Sequence, residues 1–281
     1  MTKHLTIIRP SSLSGYGDCP RREAAKLFRF EIEAAGFLLR ETATGIAPVL
    51  GTAVHEGAAD ILRTKLKTGE PGSLDSGTEV GIESLNQAMQ KGAVFDTKTE
   101  TRRVAEKQVR RMVRVFHEQL APKIAPIAVE TRLEAKIEDG FVLGGTADNE
   151  TIEPGAIRDL KTGVASRTHA AQLGAYSLLS RSHGRLIHHG KVDFIQRVAP
   201  NKEQPPAVTT TYPVKDIEQL AISRVRRVIG DLKEFRARVE HDFGPPEYAF
   251  DVNPMSSLCS DKWCPAWGTS FCKEWEYKEQ Q

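Results

Sequence analysis

Two short acidic motifs stand near the middle of the chain. They are Gly144-Gly-Thr-Ala-Asp148 and, eleven residues after that aspartate, Asp159-Leu-Lys161-Thr-Gly163. Side chains alternate across a strand, so Asp159 and Lys161 should project from one face while Leu160 points into a core. If the preceding strand pairs antiparallel with this one, Asp148 approaches Asp159. Two adjoining carboxylates repel unless a divalent cation neutralises them, and oxygen ligands suit Mg²⁺ or Mn²⁺. Such an ion can polarise a phosphodiester, help to deprotonate a water and stabilise the leaving oxygen. Lys161 would add a fixed positive charge where negative charge develops. The chemistry expected of this pair of motifs is hydrolysis without a covalent intermediate.

Other residues acquire interest from their spacing. Gln172-Leu-Gly-Ala-Tyr176 separates its two polar ends by four residues, which puts them on one face of a helix. His55 closes Gly51-Thr-Ala-Val-His55 in an earlier helical segment. Taken singly, His55 reads as an ordinary helix histidine, Tyr176 as an aromatic at a core edge and Gln172 as a surface residue. Glu130, on the first expected strand, reads as structural, with a place just behind the site's direct contacts as the alternative. The four cysteines, Cys19, Cys259, Cys264 and Cys272, leave none over from a set of four. Four thiolates can hold a tetrahedral zinc or an iron–sulfur cluster, and spacing alone does not choose between them.

The elements that must position these residues follow from periodicity and turn chemistry. The pattern predicts helices at about 21–35, 49–67, 79–90 and 97–120, with a loop over 68–77. In the helix over 97–120, Ala105, Val109, Met112 and Phe116 form an apolar stripe opposite Arg103, Lys107, Arg110 and Arg114. That basic stripe is either a solvated surface or a track for phosphates. Strands are expected at 128–137, 141–149 and 156–161, joined as a meander by Asp139-Gly140 and Pro154-Gly155. A helix at 168–182, strands at 191–198 and 207–212, and a helix at 214–239 complete the pattern. The fold expected is α/β, a mixed sheet core flanked by helices, within one domain over 1–281. Residues 1–125 make a mainly helical part and 126–243 the α/β core. A Cys-rich tail over 244–281 is Trp-rich from Asn253 to Trp275.

Bulk properties limit the partners. The chain has 281 residues and 40% hydrophobic content, enough to bury a core. Its 39 basic and 37 acidic residues nearly cancel to a net charge of +2, so any attraction to a polyanion must come from local distribution. No apolar run is long enough for a bilayer, and the first residues lack the order of a signal peptide. A cytoplasmic protein of a bacterial or phage-infected cell, with no membrane partner, is expected.

Together the motifs resemble the PD-(D/E)XK nuclease superfamily, and its RecB-like exonuclease branch in particular. There a Gly-x-x-Asp precedes an Asp-x-Lys-Thr-Gly, a Gln-x-x-x-Tyr lies on the next helix and a His on an earlier one. Each motif alone is weak, but four in this order over about 120 residues are specific. The resemblance implies a restriction-endonuclease-like fold. It also implies a metal site of His55, Asp148, Asp159 and the Leu160 carbonyl, with Lys161 catalytic and Gln172 and Tyr176 at the site. One Cys-Pro-Arg near the start and three cysteines near the end resemble the cluster-bearing CRISPR-associated and AddAB-type nucleases, which implies a [4Fe-4S] cluster stapling the ends. The last three cysteines are more widely spaced than usual, which keeps open zinc, a cluster of different nuclearity, or buried thiols that bind nothing. The implied activity is a Mg²⁺- or Mn²⁺-dependent DNA exonuclease of recombination, repair or phage DNA processing. Its alternative is a DNA-binding nuclease subunit whose activity is set by a partner such as a helicase or a CRISPR-adaptation complex. No Walker phosphate loop is present, so a motor would lie on another chain.

Overall fold

The computed structural model describes residues 5–152 and 155–273. Pro154 and the end of the tail at Trp275, both named above, lie outside them. The chain opens with strand β1 (Thr6–Ile8) and helices α1 (Ser12–Asp18), α2 (Pro20–Leu27) and α3 (Arg29–Ala34). The single helix expected over 21–35 is thus two. It breaks at Phe28, whose backbone leaves the helical region at φ −117° so that its ring turns inward and stacks 6.4 Å from Phe250.

Three longer helices follow: α4 (Ile46–Thr68), α5 (Leu74–Gln90) and α6 (Arg102–Val115). Helix α5 begins inside the expected loop, because Ser73 caps it by accepting a hydrogen bond from the Ser76 amide. Helix α6 begins later than expected. Asp96 bonds the amides of Lys98 and Thr99 in a turn, and Thr101 then caps the helix through the Val104 amide. Its last turn widens into a π-helical segment over Phe116–Leu120.

The sheet is mixed and six-stranded. Strands β2 (Pro126–Glu138), β3 (Phe141–Thr151) and β4 (Ala156–Gly163) form the expected antiparallel meander. After α7 (Ala170–Ser182), β5 (His189–Gln196) lies parallel to β4, and β6 (Val208–Pro213) pairs antiparallel with β5 before α8 (Val214–His241). β3 carries β2 along one edge. Its other edge is divided, with β1 paired to residues 141–143 and β4 paired to residues 149–151. Helices cover both faces of the sheet. Ile157 and Val192 join the core built with α1, α7 and α8, whereas Leu160 and Ile195, on the opposite face, join the core of α4, α5 and α6. No helix among the described residues is long and apolar enough to cross a membrane.

Candidate active site

The site lies where β3 and β4 part. Asn149↔Arg158 is the last of their paired residues, and the next residue along each strand is an aspartate, Asp148 and Asp159. The Leu160 amide donates to Asp148 Oδ2 at 2.7 Å, so the two motifs are joined directly. Gln172, 6% exposed on α7, donates to Asp159 Oδ1 at 3.0 Å. Lys161 donates to the same oxygen at 2.7 Å. Asp159 Oδ2 is also 2.7 Å from that ammonium but off its hydrogen-bonding direction, and this buried oxygen is left without a hydrogen bond.

Two glycines of the motifs mark close approaches. A Cβ at Gly145 would come within 2.8 Å of Pro10 and 3.1 Å of the Tyr176 ring, so the glycine lets α7 press this ring onto β3. A Cβ at Gly51 would stand 3.3 Å from Thr162 Oγ1, so α4 can lie against the end of β4 and bring His55 to the strands. His55 Nδ1 is 3.3 Å from Asp148 Oδ2.

The structure also draws in Glu130, which the sequence pattern reads as structural. Leu133 and Ala135 of β2 pack into the α7 and α8 core, but Val129, an even number of residues away, packs into the α4 core on the other face. Alternation is reset at Glu130, whose φ of +48° places it in the left-handed region. The cross-strand register skips the same level, running from Val129↔Asn149 to Thr131↔Ala147. Ligand atoms of His55, Glu130 and Asp148 lie within 4.8 Å of one another. A period-two sequence pattern carries no signal of such a reversal. His169 was also missed. It precedes α7 and contacts Gln172, three residues on, a spacing that could have disclosed it.

The electrostatics are those of an excess of buried negative charge. Burial first, and Asp148 next, push the Glu130 carboxyl up to about 7. Burial also pushes Asp159 up to about 6, with Asp148 adding to the rise and Lys161 opposing it. Burial opposes the charge on Asp148 too, but His55 and Lys161 outweigh it and hold that carboxyl below its usual range. His55 responds in kind: burial disfavours the imidazolium, and Asp148 overrides it to raise the ring to about 9. Burial, Lys161 and Arg167 push His169 down to about 4, which keeps it neutral near pH 7. Burial raises the Tyr176 phenol, and Asp148 and Asp159 raise it further.

The sequence pattern that defines the PD-(D/E)XK nuclease superfamily matches residues 8–269. The chain belongs to the PD-(D/E)XK nuclease superfamily. Among solved structures, this nuclease is similar to a provisionally named exonuclease of Eubacterium rectale, with 14% identity and a TM-score of 0.55. The match covers 92% of this chain and 87% of that one, and it shows a shared fold. A second solved structure, SSO0001, has 12% identity over 88% of this chain and 89% of its own, with a TM-score of 0.32 too low to carry an argument. No curated protein sequence matches the chain.

Divalent metals are general among PD-(D/E)XK nucleases, and the residues here fit one. Two carboxylates, Glu130 and Asp148, converge with the His55 imidazole, Glu130 and the neighbouring Asp159 resist ionisation, and the buried Asp159 Oδ2 lacks a hydrogen bond. A cation would relieve all of these at once.

The remaining residues named from the sequence lie elsewhere. Cys19, Cys259, Cys264 and Cys272 line one cavity together with Arg21 and Arg22. Burial pushes the Cys264 thiol up to about 11, and Cys272, Cys19 and Cys259 each add to the shift. Thiols grouped in this way need a cation before they can ionise together. Arg103, Lys107, Arg110 and Arg114 are exposed on α6 and make no ion pair among the described residues. The α6 core packs against α4, and Phe116, just beyond α6, shares a cavity wall with His55.

Proposed function

We propose that the chain is a metal-dependent deoxyribonuclease that hydrolyses DNA from its ends. The observation that carries this reading is the junction of β3 and β4, where Asp148, Asp159 and Lys161 meet with His55 above them. His55, Asp148, Asp159 and the Leu160 carbonyl would hold Mg²⁺ or Mn²⁺. When bound there, the ion supplies polarisation of the phosphodiester and neutralises the charge that builds on it.

The chain's own residues do the rest. The Leu160 amide fixes Asp148, and Gln172 fixes Asp159, so both carboxylates keep their places without relying on solvent. Lys161 holds its ammonium against Asp159 and offers that charge to the reacting phosphate or to the attacking water. Tyr176 closes the α7 side of the site. The exposed cations Arg103, Lys107, Arg110 and Arg114 suit backbone phosphates, which carry no sequence information, so cleavage should be insensitive to sequence. The four cysteines would hold a [4Fe-4S] cluster, with zinc as the other tetrathiolate solution, and the buried Arg22 would offset part of its negative charge.

The test is incubation with end-labelled linear DNA and with covalently closed circular DNA, with and without Mn²⁺. Linear DNA should be consumed only with the metal, circles should survive, and Asp159→Ala or Lys161→Ala should abolish degradation. Degradation by purified Asp159→Ala protein would exclude this site, and rapid cutting of circles would exclude an end-dependent enzyme.

A further inference from the structure

We propose that Glu130 is a metal-binding residue of this nuclease, completing with His55 and Asp148 a seat for the divalent cation. The inference rests on the metal-dependent reading above and adds to it a ligand from β2, a strand that the sequence motifs leave unused.

Three observations meet at this residue. The first is placement: one ligand atom each from His55, Glu130 and Asp148 lies within 4.8 Å of the other two. Oxygen atoms about 2.1 Å from a shared Mg²⁺ lie roughly 3–4 Å apart, so small side-chain rotations close the group around an ion. The second is the backbone. Glutamate rarely adopts a φ of +48°, and it does so here at the level between Val129↔Asn149 and Thr131↔Ala147, where Glu130 stands opposite Asp148. The pairing of β2 with β3 sets the residue at that level directly across from Asp148, so the two carboxylates meet across the strands.

The third observation concerns a neutral neighbour, Asn149. His55, Glu130, Asp148, Asn149 and Leu160 line one small cavity of about 10 Å³, close to the room that a single water requires. Asn149 is 3% exposed, and its side-chain oxygen has no hydrogen bond. A buried acceptor left without a donor is costly unless something enters to satisfy it. A water brought in with a cation held by Glu130 and Asp148 would supply such a donor. Glu130 itself has no hydrogen bond or ion pair among the described residues, so its carboxylate is not engaged elsewhere.

The test measures binding, not cleavage. Mn²⁺ is titrated calorimetrically into the full chain, without nucleic acid, for the wild type, Glu130→Gln and Glu130→Asn. Asn tolerates the left-handed backbone, so the second variant keeps the fold even if the first does not. Both variants should bind Mn²⁺ at least tenfold more weakly, show a smaller rise in melting temperature on adding the metal, and melt no lower than wild type without it. Wild-type affinity in either folded variant would overturn the proposal while leaving the nuclease reading intact. A wild-type chain that binds no Mn²⁺ would overturn both.

Discussion

At the scale of the residue, the site is a balance between burial, which disfavours every charge in it, and the mutual attraction of charges that cannot leave. His55 shows the outcome most clearly. Its ring is raised from 6.5 to about 9 because the Asp148 carboxylate outweighs burial. A raised basic group contributes stability that is fully present below its unfolded pKa and lost as pH climbs through the folded one. The metal-free protein should therefore lose stability between about pH 6.5 and about pH 9 on account of this pair. Metal binding obeys the opposite sign, since the nitrogen that faces Asp148 must shed its proton before it can coordinate. Mn²⁺ affinity should thus rise by roughly tenfold per pH unit up to about pH 9 and level off above it, with one proton released per ion. Calorimetry in buffers of different ionisation enthalpy reads both quantities. An affinity that stays flat from pH 6.5 to 9 would show that His55 does not give up a proton to the ion.

At the scale of the element, β4 must be held rigidly enough to keep Asp159 in place, and the residue beside it does this. Arg158 points to the opposite face and makes two hydrogen bonds to Asp193 on β5, at 2.9 and 2.7 Å, with Thr209 of β6 adding a third contact to the same carboxylate. Both charges are almost fully buried. Asp193→Ala leaves the guanidinium uncompensated and should cost about 3–5 kcal/mol in denaturant unfolding, whereas Arg158→Met with Asp193→Leu should recover most of that loss. Equal destabilisation by the single and the paired substitution would locate the cost in packing. The meander, α4, α7 and α8 were legible in the sequence because alternation, helical spacing and turn residues agree over long stretches. Strand β1 was not, since its three residues are too few to show a period. The split at Phe28 depends on Phe250, far away in sequence, and a local pattern cannot contain it. The same applies within the site: His55, Asp148, Asp159, Lys161, Gln172 and Tyr176 sit on motifs with readable spacing, while Glu130 belongs to no motif and owes its place to the register of β2 on β3, which an irregularity between Lys136 and Glu138 shifts.

At the scale of the whole molecule, the two ends of the described chain meet at the cysteines. Cys19 lies between α1 and α2, and its three partners come from the tail beyond α8. The junction does not depend on the thiols alone. Arg22 bonds Asp18 at 2.8 Å and Ser256 at 2.9 Å, Arg21 bonds the Phe250 carbonyl at 3.1 Å, and Phe28, Phe235, Phe250 and Phe271 pack around one another. Asp18 and Thr168 line a common groove, which places the segment that leads from β4 into α7 beside this junction. Removing one thiol should therefore loosen the ends and disturb α7 without dismantling the carboxylates on β3 and β4. Cys272→Ser should lower the melting temperature by several degrees, make the tail and the α1–α2 segment sensitive to protease together, and slow DNA degradation. Mn²⁺ affinity should stay near wild type, because none of the cysteines lines the cavity that holds His55 and Asp148. Thermal melting, limited proteolysis and metal titration on the same preparation separate these effects. A Cys272→Ser chain with the wild-type melting temperature would mean that the four cysteines hold nothing the fold requires.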